Sequence, residues 1–370
     1  MLKRLLFQMH WFSGITAGVV LALMGLTGAL YSFEEELIQE IDPHVTRVTP
    51  DHRPMLTPAD LLARVRKGNP HVSSLTLSGD PQDAARVGFM HPIAGSDKKK
   101  FELQYLNPYT GELLGKPASE EFFRSVLNLH RKLMLDDGGK AVTGASTLVF
   151  LFLLLSGVYV RWPKSRRLYW RTWLSIDFRN SGRSFLAQLH SVLGIWLFLA
   201  YLLIILTGLT WSYGWYRSGL TALAGISAST KPRPAVSTDM AKSMPAGEIN
   251  LELVWATFSA TVPDYQKLIL LLPSAAGQAV QILYLDPAAA HPYANNRIVI
   301  DGISGALQKH ERYAAKSGGE KLMASLYALH SGHFFGVTGR LIMMLASLCL
   351  PLFAVTGWIM YLQRRRSRRG

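Results

Sequence analysis

Four histidines recur in matching sequence surroundings, and histidine is a frequent metal ligand in proteins. Residues 10–28, which begin with a histidine, align without a gap with residues 190–208, at numbers that differ by 180. His130 and His330 each follow a leucine and precede a Gly-basic pair and an [ST]-Gly pair, at a constant difference of 200. A duplication that repeats its histidines in or beside apolar segments predicts two symmetric pairs of metal ligands in a membrane.

The chemistry predicted for these histidines is the axial ligation of haem iron. A neutral imidazole is an ordinary axial ligand, and two histidines that face each other from different helices form a site suited to electron transfer. His10 with His190 is predicted to bind one haem b, and His130 with His330 a second haem b. A lone histidine at a membrane interface more often keeps its ring in water, but repetition at a matched position favours ligation.

Two glycines and one further histidine complete the predicted sites. Gly14 and Gly194 each follow the histidine of their segment by four residues, about one helical turn, where a missing side chain lets a flat macrocycle approach the backbone. His333 lies three residues after His330, on nearly the same helical face, and is the alternative ligand there. The preference for His330 rests on the repeat alone, and no catalytic residue is assigned.

Each apolar segment also carries one [ST]-Gly pair that recurs in the other repeat, and these are Thr27-Gly28, Ser156-Gly157, Thr207-Gly208 and Thr356-Gly357. The simplest interpretation of these pairs is close helix packing, because small residues let two backbones approach. Contact with a haem propionate or a quinone is the alternative interpretation.

The remaining aromatic and histidine side chains are predicted to serve structure. The aromatic cluster after the third apolar segment predicts an interfacial belt, with a substrate surface as the alternative, and it contains Trp211, Tyr213, Trp215 and Tyr216. The histidines without a convincing duplicated partner are interpreted as surface or packing residues, and they are His44, His52, His71, His91, His291 and His310.

Four apolar segments must position the predicted ligands. They cover residues 11–33, 140–162, 186–214 and 340–362, and each is long enough to cross a hydrocarbon core of about 30 Å as a helix. The first is interpreted as a membrane helix and not as a signal peptide, because it is long and lacks a small-residue cleavage pattern. Amphipathic segments at 122–135 and 322–335, which contain His130 and His330, are predicted to lie at the outer leaflet.

Charge predicts the orientation of these helices. The net charge of +14 arises almost entirely from the amino terminus, residues 161–185 and the carboxyl tail, which hold 14 basic residues and one acidic residue. Basic residues favour the cytoplasmic side, so both termini are placed in the cytoplasm and no nucleic-acid partner is needed to explain the charge. Cys349 is the only cysteine, which excludes an iron–sulfur cluster and an internal disulfide.

Two polar segments are predicted to fold as small α+β modules in the periplasm. The first has a helix at 57–67, with Thr57 as its cap, and strands at 72–77, 85–90 and 101–106. The second has a helix at 251–261 and strands at 266–272, 279–285 and 297–300. An Asn or Asp turn that ends in glycine, at 107–111 and 301–305, follows the last strand of each module.

Taken together, these motifs resemble the PepSY-associated transmembrane helix family. They are the histidine at the mouth of the first helix, the [ST]-Gly pairs, the D/N-x-x-[ST]-G turn and the Leu-His before the returning helix. That family includes iron-regulated inner-membrane proteins and siderophore-iron reductases of the ferrioxamine type. The match covers nearly the whole chain, but the second module has the looser turn Asp-Gly-Ile-Ser-Gly, and its insert 287–292 has no counterpart in the first.

The resemblance implies a fold class and an acceptor. The fold is an α-helical membrane protein with four transmembrane helices in two tandem repeats, each with a PepSY-like periplasmic α+β module. The implied acceptor is a ferric siderophore in the periplasm. The predicted organisation is helix 1 at 1–33, module 1 at 34–125, amphipathic segment and helix 2 at 126–162, basic connector at 163–185, helix 3 at 186–214, module 2 at 215–325, amphipathic segment and helix 4 at 326–362, and basic tail at 363–370.

The predicted function is a di-haem b oxidoreductase of the bacterial inner membrane that passes electrons to the siderophore and releases Fe(II). No Gly-rich dinucleotide loop follows a strand, so the electron donor is expected to be another protein, a diffusing reduced cofactor or membrane quinol. Two alternatives stay open: a non-enzymatic sensor or scaffold whose modules bind a peptide or siderophore, and a transporter of the siderophore. The transporter is disfavoured, because the four helices carry no intramembrane Asp, Glu, Lys or Arg for ion coupling.

Overall fold

The computed structural model describes residues 1–69, 71–93, 96–162, 173–226, 249–273 and 279–366, with the backbone alone for 93 and 96–99. Residues 163–172 of the predicted connector and 367–370 of the predicted tail lie outside the described residues. The chain divides into two compact units. The membrane unit is Met1–Glu34, Glu121–Leu220 and Leu326–Gly370, and the sheet unit is Glu35–Glu120 and Thr221–Ser325.

The described helices are numbered here in chain order. They are α1 Leu2–Tyr31, α2 Glu34–Ile41, α3 Pro43–Thr46, α4 Pro58–Gly68, α5 Ser119–Lys132, α6 Asp136–Arg161, α7 Gly182–Trp196, α8 Phe198–Ser212, α9 Gly214–Leu223, α10 Leu251–Thr261, α11 Gly318–Ala324, α12 Leu326–Ser331 and α13 Gly336–Arg366. Short 3-10 turns lie at Tyr313–Ala315 and His333–Phe335.

The membrane unit contains helices long and apolar enough to cross a bilayer. By length and composition these are α1, α6 and the run His333–Arg366, and a bent pair, α7 and α8, makes a fourth span if it is counted as one. Helix α1 packs mainly against α13 and α6, and α6 packs against α8. These helices agree with the prediction of a membrane protein.

The third predicted span is not one continuous helix. Helices α7 and α8 meet at Leu197, and their axes differ by 62°. Leu197 has φ −91° and ψ 2°, and no proline lies in either helix. Gly194, a poor helix former, lies in the last turn before the break, which weakens the helix where it bends.

The amphipathic segment of the second copy is also broken. Helix α5 carries His130 as one continuous helix, as predicted, but the segment around His330 forms α11, α12 and a 3-10 turn. Gly332 follows α12 with φ +84°, a left-handed conformation that glycine adopts at little cost and that ends a helix.

The basic ends of the membrane helices meet at one end of the membrane unit. Lys3 Nζ donates to the backbone oxygen of Trp162 at 2.9 Å, which joins the start of α1 to the end of α6. The Arg364 guanidinium lies 5.2 Å from the centre of the Phe7 ring, which joins the end of α13 to the same place. The clustering of charge inferred from the sequence is therefore also a clustering in space.

The sheet unit contains one antiparallel sheet of eight strands, in the order β4-β3-β2-β1-β5-β6-β7-β8. The strands are β1 Val72–Ser78, β2 Ala85–Ile93, β3 Ser96–Leu106, β4 Leu113–Gly115, β5 Lys267–Leu271, β6 Val280–Leu285, β7 Asn296–Ile300 and β8 Leu307–Glu311. The six predicted strands are confirmed, and the short outer strands β4 and β8 were not predicted.

The two predicted modules share this sheet through the pairing of β1 with β5, in which Leu75 lies opposite Leu270 and Leu77 opposite Leu268. All four leucines are buried beneath α4 and α10 in one hydrophobic core. Pairing satisfies the backbone groups that the first strand of each module would otherwise expose at an edge. The sequence analysis did not predict this joint sheet.

The Asn and Asp turns are closed by side-chain hydrogen bonds. Asn107 Oδ1 accepts from the backbone nitrogen of Tyr109 at 2.8 Å, and Asp301 Oδ1 accepts from that of Ser304 at 2.8 Å. Gly111 and Gly305 follow with φ +75° and +69°, where a Cβ is disfavoured. The motif that contributes to the family resemblance is therefore a structural turn.

Candidate metal centres

The first predicted ligand pair is brought together in the membrane unit. The ring centres of His10, on α1, and His190, on α7, are 6.5 Å apart, and the ring planes are inclined by 72°. Metal–nitrogen bonds of about 2 Å, with about 1 Å from each nitrogen to its ring centre, separate two axial imidazoles by about 6 Å. The separation therefore fits an ion held between the two rings.

Both of these imidazoles are oriented by a hydroxyl of an [ST]-Gly pair. His10 Nδ1 is 2.8 Å from Ser156 Oγ, and His190 Nδ1 is 2.8 Å from Thr356 Oγ1. Each hydroxyl donates its one hydrogen to a carbonyl of its own helix, so it accepts from the imidazole N–H. Nδ1 then carries the proton, and Nε2 keeps the lone pair that a metal requires.

A cavity of about 1070 Å³ contains both histidines in its lining. Gly14 and Gly194 line it too, and a Cβ built at either would meet a neighbouring side chain only at 3.9 and 3.7 Å, respectively. The volume is at the upper end of the range for small-molecule sites, about 300–1,000 Å³. The predicted approach of a flat macrocycle to these glycines is sterically open.

The cavity has a basic part and an apolar part. Its guanidinium groups belong to Arg161, Arg183, Arg364 and Arg365. Its apolar wall includes Phe150, Tyr201 and Phe353, whose rings contact one another. Arginine binds carboxylates through charge-assisted hydrogen bonds, so this lining suits an amphipathic ligand with an apolar plane and acidic groups at one edge.

His130, in the second predicted pair, is held by α1. Its Nδ1 lies 2.9 Å from the backbone oxygen of Met24 and 3.2 Å from Thr27 Oγ1. A carbonyl oxygen only accepts, so Nδ1 carries the proton and Nε2 is left as the metal-binding nitrogen.

His330, in the same pair, repeats this arrangement on α8. Its Nδ1 lies 2.9 Å from Thr207 Oγ1, as that of His130 lies 3.2 Å from Thr27 Oγ1. The residue precedes the span that begins at His333. Burial lowers the pKa of His330 to about 4.

The alternative ligand, His333, has different surroundings. Its Nδ1 lies 2.8 Å from Ser331 Oγ, in the 3-10 turn before α13. His330 therefore occupies the position that corresponds to His130. The ring of Trp211 lies against His330, with centres 5.3 Å apart, so this aromatic residue of the predicted belt also contacts a candidate ligand.

The interpretation of the [ST]-Gly pairs as simple packing is corrected by these contacts, since each of the four hydroxyls bonds one of the four histidines. Three of the glycines also leave room for the ring. A Cβ at Gly28, Gly157 or Gly208 would lie 3.1 to 3.4 Å from the Cε1 of that histidine. The sequence signal for this role was that four [ST]-Gly pairs are duplicated, as four histidines are.

His291 has a packing role in the sheet unit, as predicted for the background histidines. It is 4% exposed, and burial lowers its pKa. Its Nδ1 accepts from the backbone nitrogen of Tyr293, so Nε2 carries a hydrogen and donates to Ser325 Oγ at 2.9 Å. A ring with this tautomer holds the insert 287–292 in place and does not act as a base.

Within the described part of the chain, no group of three or more His, Cys, Asp or Glu residues is arranged to hold a metal ion. An axial haem site needs only two protein ligands, which the histidine pairs provide. Comparison with family models gave a match described as the PepSY-associated TM region, over residues 7–364. Comparison with curated proteins gave no match.

Proposed function

This chain belongs to the PepSY-associated transmembrane family, and from that premise we propose that it is a membrane oxidoreductase with two haem b groups. It passes electrons across the inner membrane to a ferric siderophore in the periplasm. The observation that carries the proposal is the 6.5 Å separation of the His10 and His190 rings in a glycine-lined cavity.

The residues of the first pair fit this cofactor in three respects. Nε2 of His10 and of His190 is the unprotonated nitrogen, because both Nδ1 atoms donate to hydroxyls. Gly14 and Gly194 leave space for the macrocycle. The arginines in the cavity lining are suitable partners for the two propionates.

His130 and His330 are the ligands proposed for the second haem. Their support is the Nδ1 hydrogen bonding that they share with the first pair. His330 is preferred to His333 because it bonds Thr207 of an [ST]-Gly pair, as His130 bonds Thr27. Each haem, when bound, supplies a one-electron carrier.

The direction of electron flow follows from the distribution of charge. Because basic helix ends favour the cytoplasm, the proposed orientation has His10 and His190 near the cytoplasmic face and His130 with His330 near the periplasmic face. The donor is a cytoplasmic protein, a diffusing reduced cofactor or membrane quinol.

The acceptor is proposed from the family resemblance and from iron chemistry. One electron converts the chelated Fe(III) to Fe(II), which hard oxygen ligands hold more weakly. The ion is then released, and the siderophore is left intact. The apolar helices around the four histidines would keep dioxygen and other soluble oxidants from the electrons before they reach this acceptor.

Haem content tests the proposal. Purified wild type is expected to show b-type absorption bands and two haems per chain, and the single variants His10→Ala, His190→Ala, His130→Ala and His330→Ala about one. His333→Ala is the matched control and is expected to keep two. Ferric ferrioxamine should reoxidise the reduced bands of the wild type. A colourless protein after expression with ample haem would refute the proposal.

A further inference from the structure

The two histidine pairs differ in what accepts their Nδ1 protons. Among the described residues, His10 and His190 each bond one side-chain hydroxyl. His130 bonds the Met24 carbonyl as well as the Thr27 hydroxyl, whereas His330 bonds the Thr207 hydroxyl. A backbone carbonyl held in a helix is therefore an acceptor at the His130–His330 level, and the two histidines of that level differ in this respect.

The acceptor at Nδ1 controls how strongly Nε2 donates to a metal. A hydrogen bond from Nδ1–H to an oxygen raises the basicity of the imidazole, and loss of such partners changes metal affinity about 10–100-fold. A second acceptor, a backbone carbonyl held in a helix, strengthens this effect in a low-dielectric interior. A more basic imidazole favours Fe(III) over Fe(II), because it places more electron density on the ion.

We propose that these partners set the redox order of the two levels. Ser156 and Thr356 are positioning residues. The hydroxyl of each determines the reduction potential of the His10–His190 centre through the histidine that it bonds. The Met24 carbonyl gives the His130–His330 centre a lower potential and makes that centre insensitive to loss of the Thr27 hydroxyl. This inference rests on the proposed function, since it requires bound haem.

The proposed order of reduction potentials affects the export of electrons. The stronger reductant then faces the periplasm, where the ferric chelate is reduced. This order of reduction potentials opposes the outward movement of an electron. A membrane potential that is negative inside favours that movement and so supplies the missing driving force.

The test uses redox titration of each centre alone. The His10–His190 centre is measured in a His130→Ala background, and the His130–His330 centre in a His10→Ala background. At the first centre, the reduction potential with the native hydroxyls is compared with those of Ser156→Ala and Thr356→Val. At the second centre, it is compared with those of Thr27→Val and Thr207→Val. Thr147→Val is the control, because that buried hydroxyl bonds only its own helix backbone.

The expected result is a lower potential at the His130–His330 centre with the native hydroxyls. Ser156→Ala or Thr356→Val should shift the oxidation equilibrium of its centre toward the reduced form about tenfold, or about 59 mV for one electron. Thr27→Val should shift its centre less than about threefold, because the Met24 carbonyl still accepts from His130, whereas Thr207→Val should shift it about tenfold. Thr147→Val should shift neither centre.

Ser156→Thr keeps a hydroxyl and should restore the native potential of the first centre. Equal shifts for Thr27→Val and Thr207→Val, no shift at either centre, or the opposite order of potentials would overturn the inference while haem binding stands. Failure to bind haem in the background variants would instead count against the proposed function.

Discussion

Gly157→Ala should weaken haem binding at the His10–His190 centre, whereas Gly357→Ala should not. The two glycines are related by the sequence difference of 200 and each follows a hydroxyl that bonds a histidine. A Cβ at Gly157 would lie 3.3 Å from Cε1 of His10, whereas a Cβ at Gly357 would meet no atom within 4 Å. The variants Gly157→Ala and Gly357→Ala therefore compare a crowded position with an open one.

The magnitude follows from the contact and from the hydrogen bond beside it. The ring of His10 must move by a few tenths of an ångström, which disturbs its 2.8 Å bond to Ser156. Loss of one such bond costs about 1 kcal/mol, or about fivefold in an equilibrium constant. Replacing glycine in a helix with alanine stabilises the helix by about 1 kcal/mol in both variants.

The assay separates these two effects. Haem loss to excess apomyoglobin should be about fivefold faster from one centre in Gly157→Ala and unchanged in Gly357→Ala. Thermal unfolding of haem-free protein in detergent should show no loss of stability in either variant. Equal haem loss in the two variants, or none in either, would refute the reasoning that the glycine makes room for the imidazole.

Three other predictions concern stability. Gly25→Ala should destabilise the membrane unit by about 1–3 kcal/mol, because its Cβ would lie 2.5 Å from the Ser347 carbonyl oxygen; thermal unfolding measures this, and Gly138→Ala, in open space, is the control. Gly305→Ala should cost the sheet unit at least about 1–2 kcal/mol in denaturant unfolding, because Gly305 has φ +69° and its Cβ would lie 2.8 Å from Leu253 Cβ. Hydrogen bonds from Ser304 lower the pKa of Asp301, so its contribution is present above the unfolded value of about 3.9 and is lost as pH falls through the lower folded value. Asp301→Asn keeps an acceptor at this position, as Asn107 does in the first turn, but cannot titrate. It should therefore reduce the loss of unfolding free energy at acid pH, and an unchanged pH profile would contradict this prediction.

Most of the local structure was predictable, because its causes are local. The cap at Thr57, the six long strands and the apolar helices each follow from residues within one short segment. The bend at Leu197 was not predictable from apolar length, since residues 186–214 contain no Asp, Glu, Lys or Arg and only a glycine marks the break. The outer strands β4 and β8 have too few apolar residues to be recognised.

The sequence by itself determined which histidines are duplicated, and in a duplicated membrane chain this predicted that His10 would face His190. Only the tertiary structure decided what surrounds them. The bond between His10 and Ser156 joins residues 146 positions apart, and that between His190 and Thr356 joins residues 166 apart. Such contacts depend on the register between separate helices, which packing sets and no local pattern encodes. For the same reason the pairing of β1 with β5, between two segments far apart in the chain, was visible only in the folded molecule.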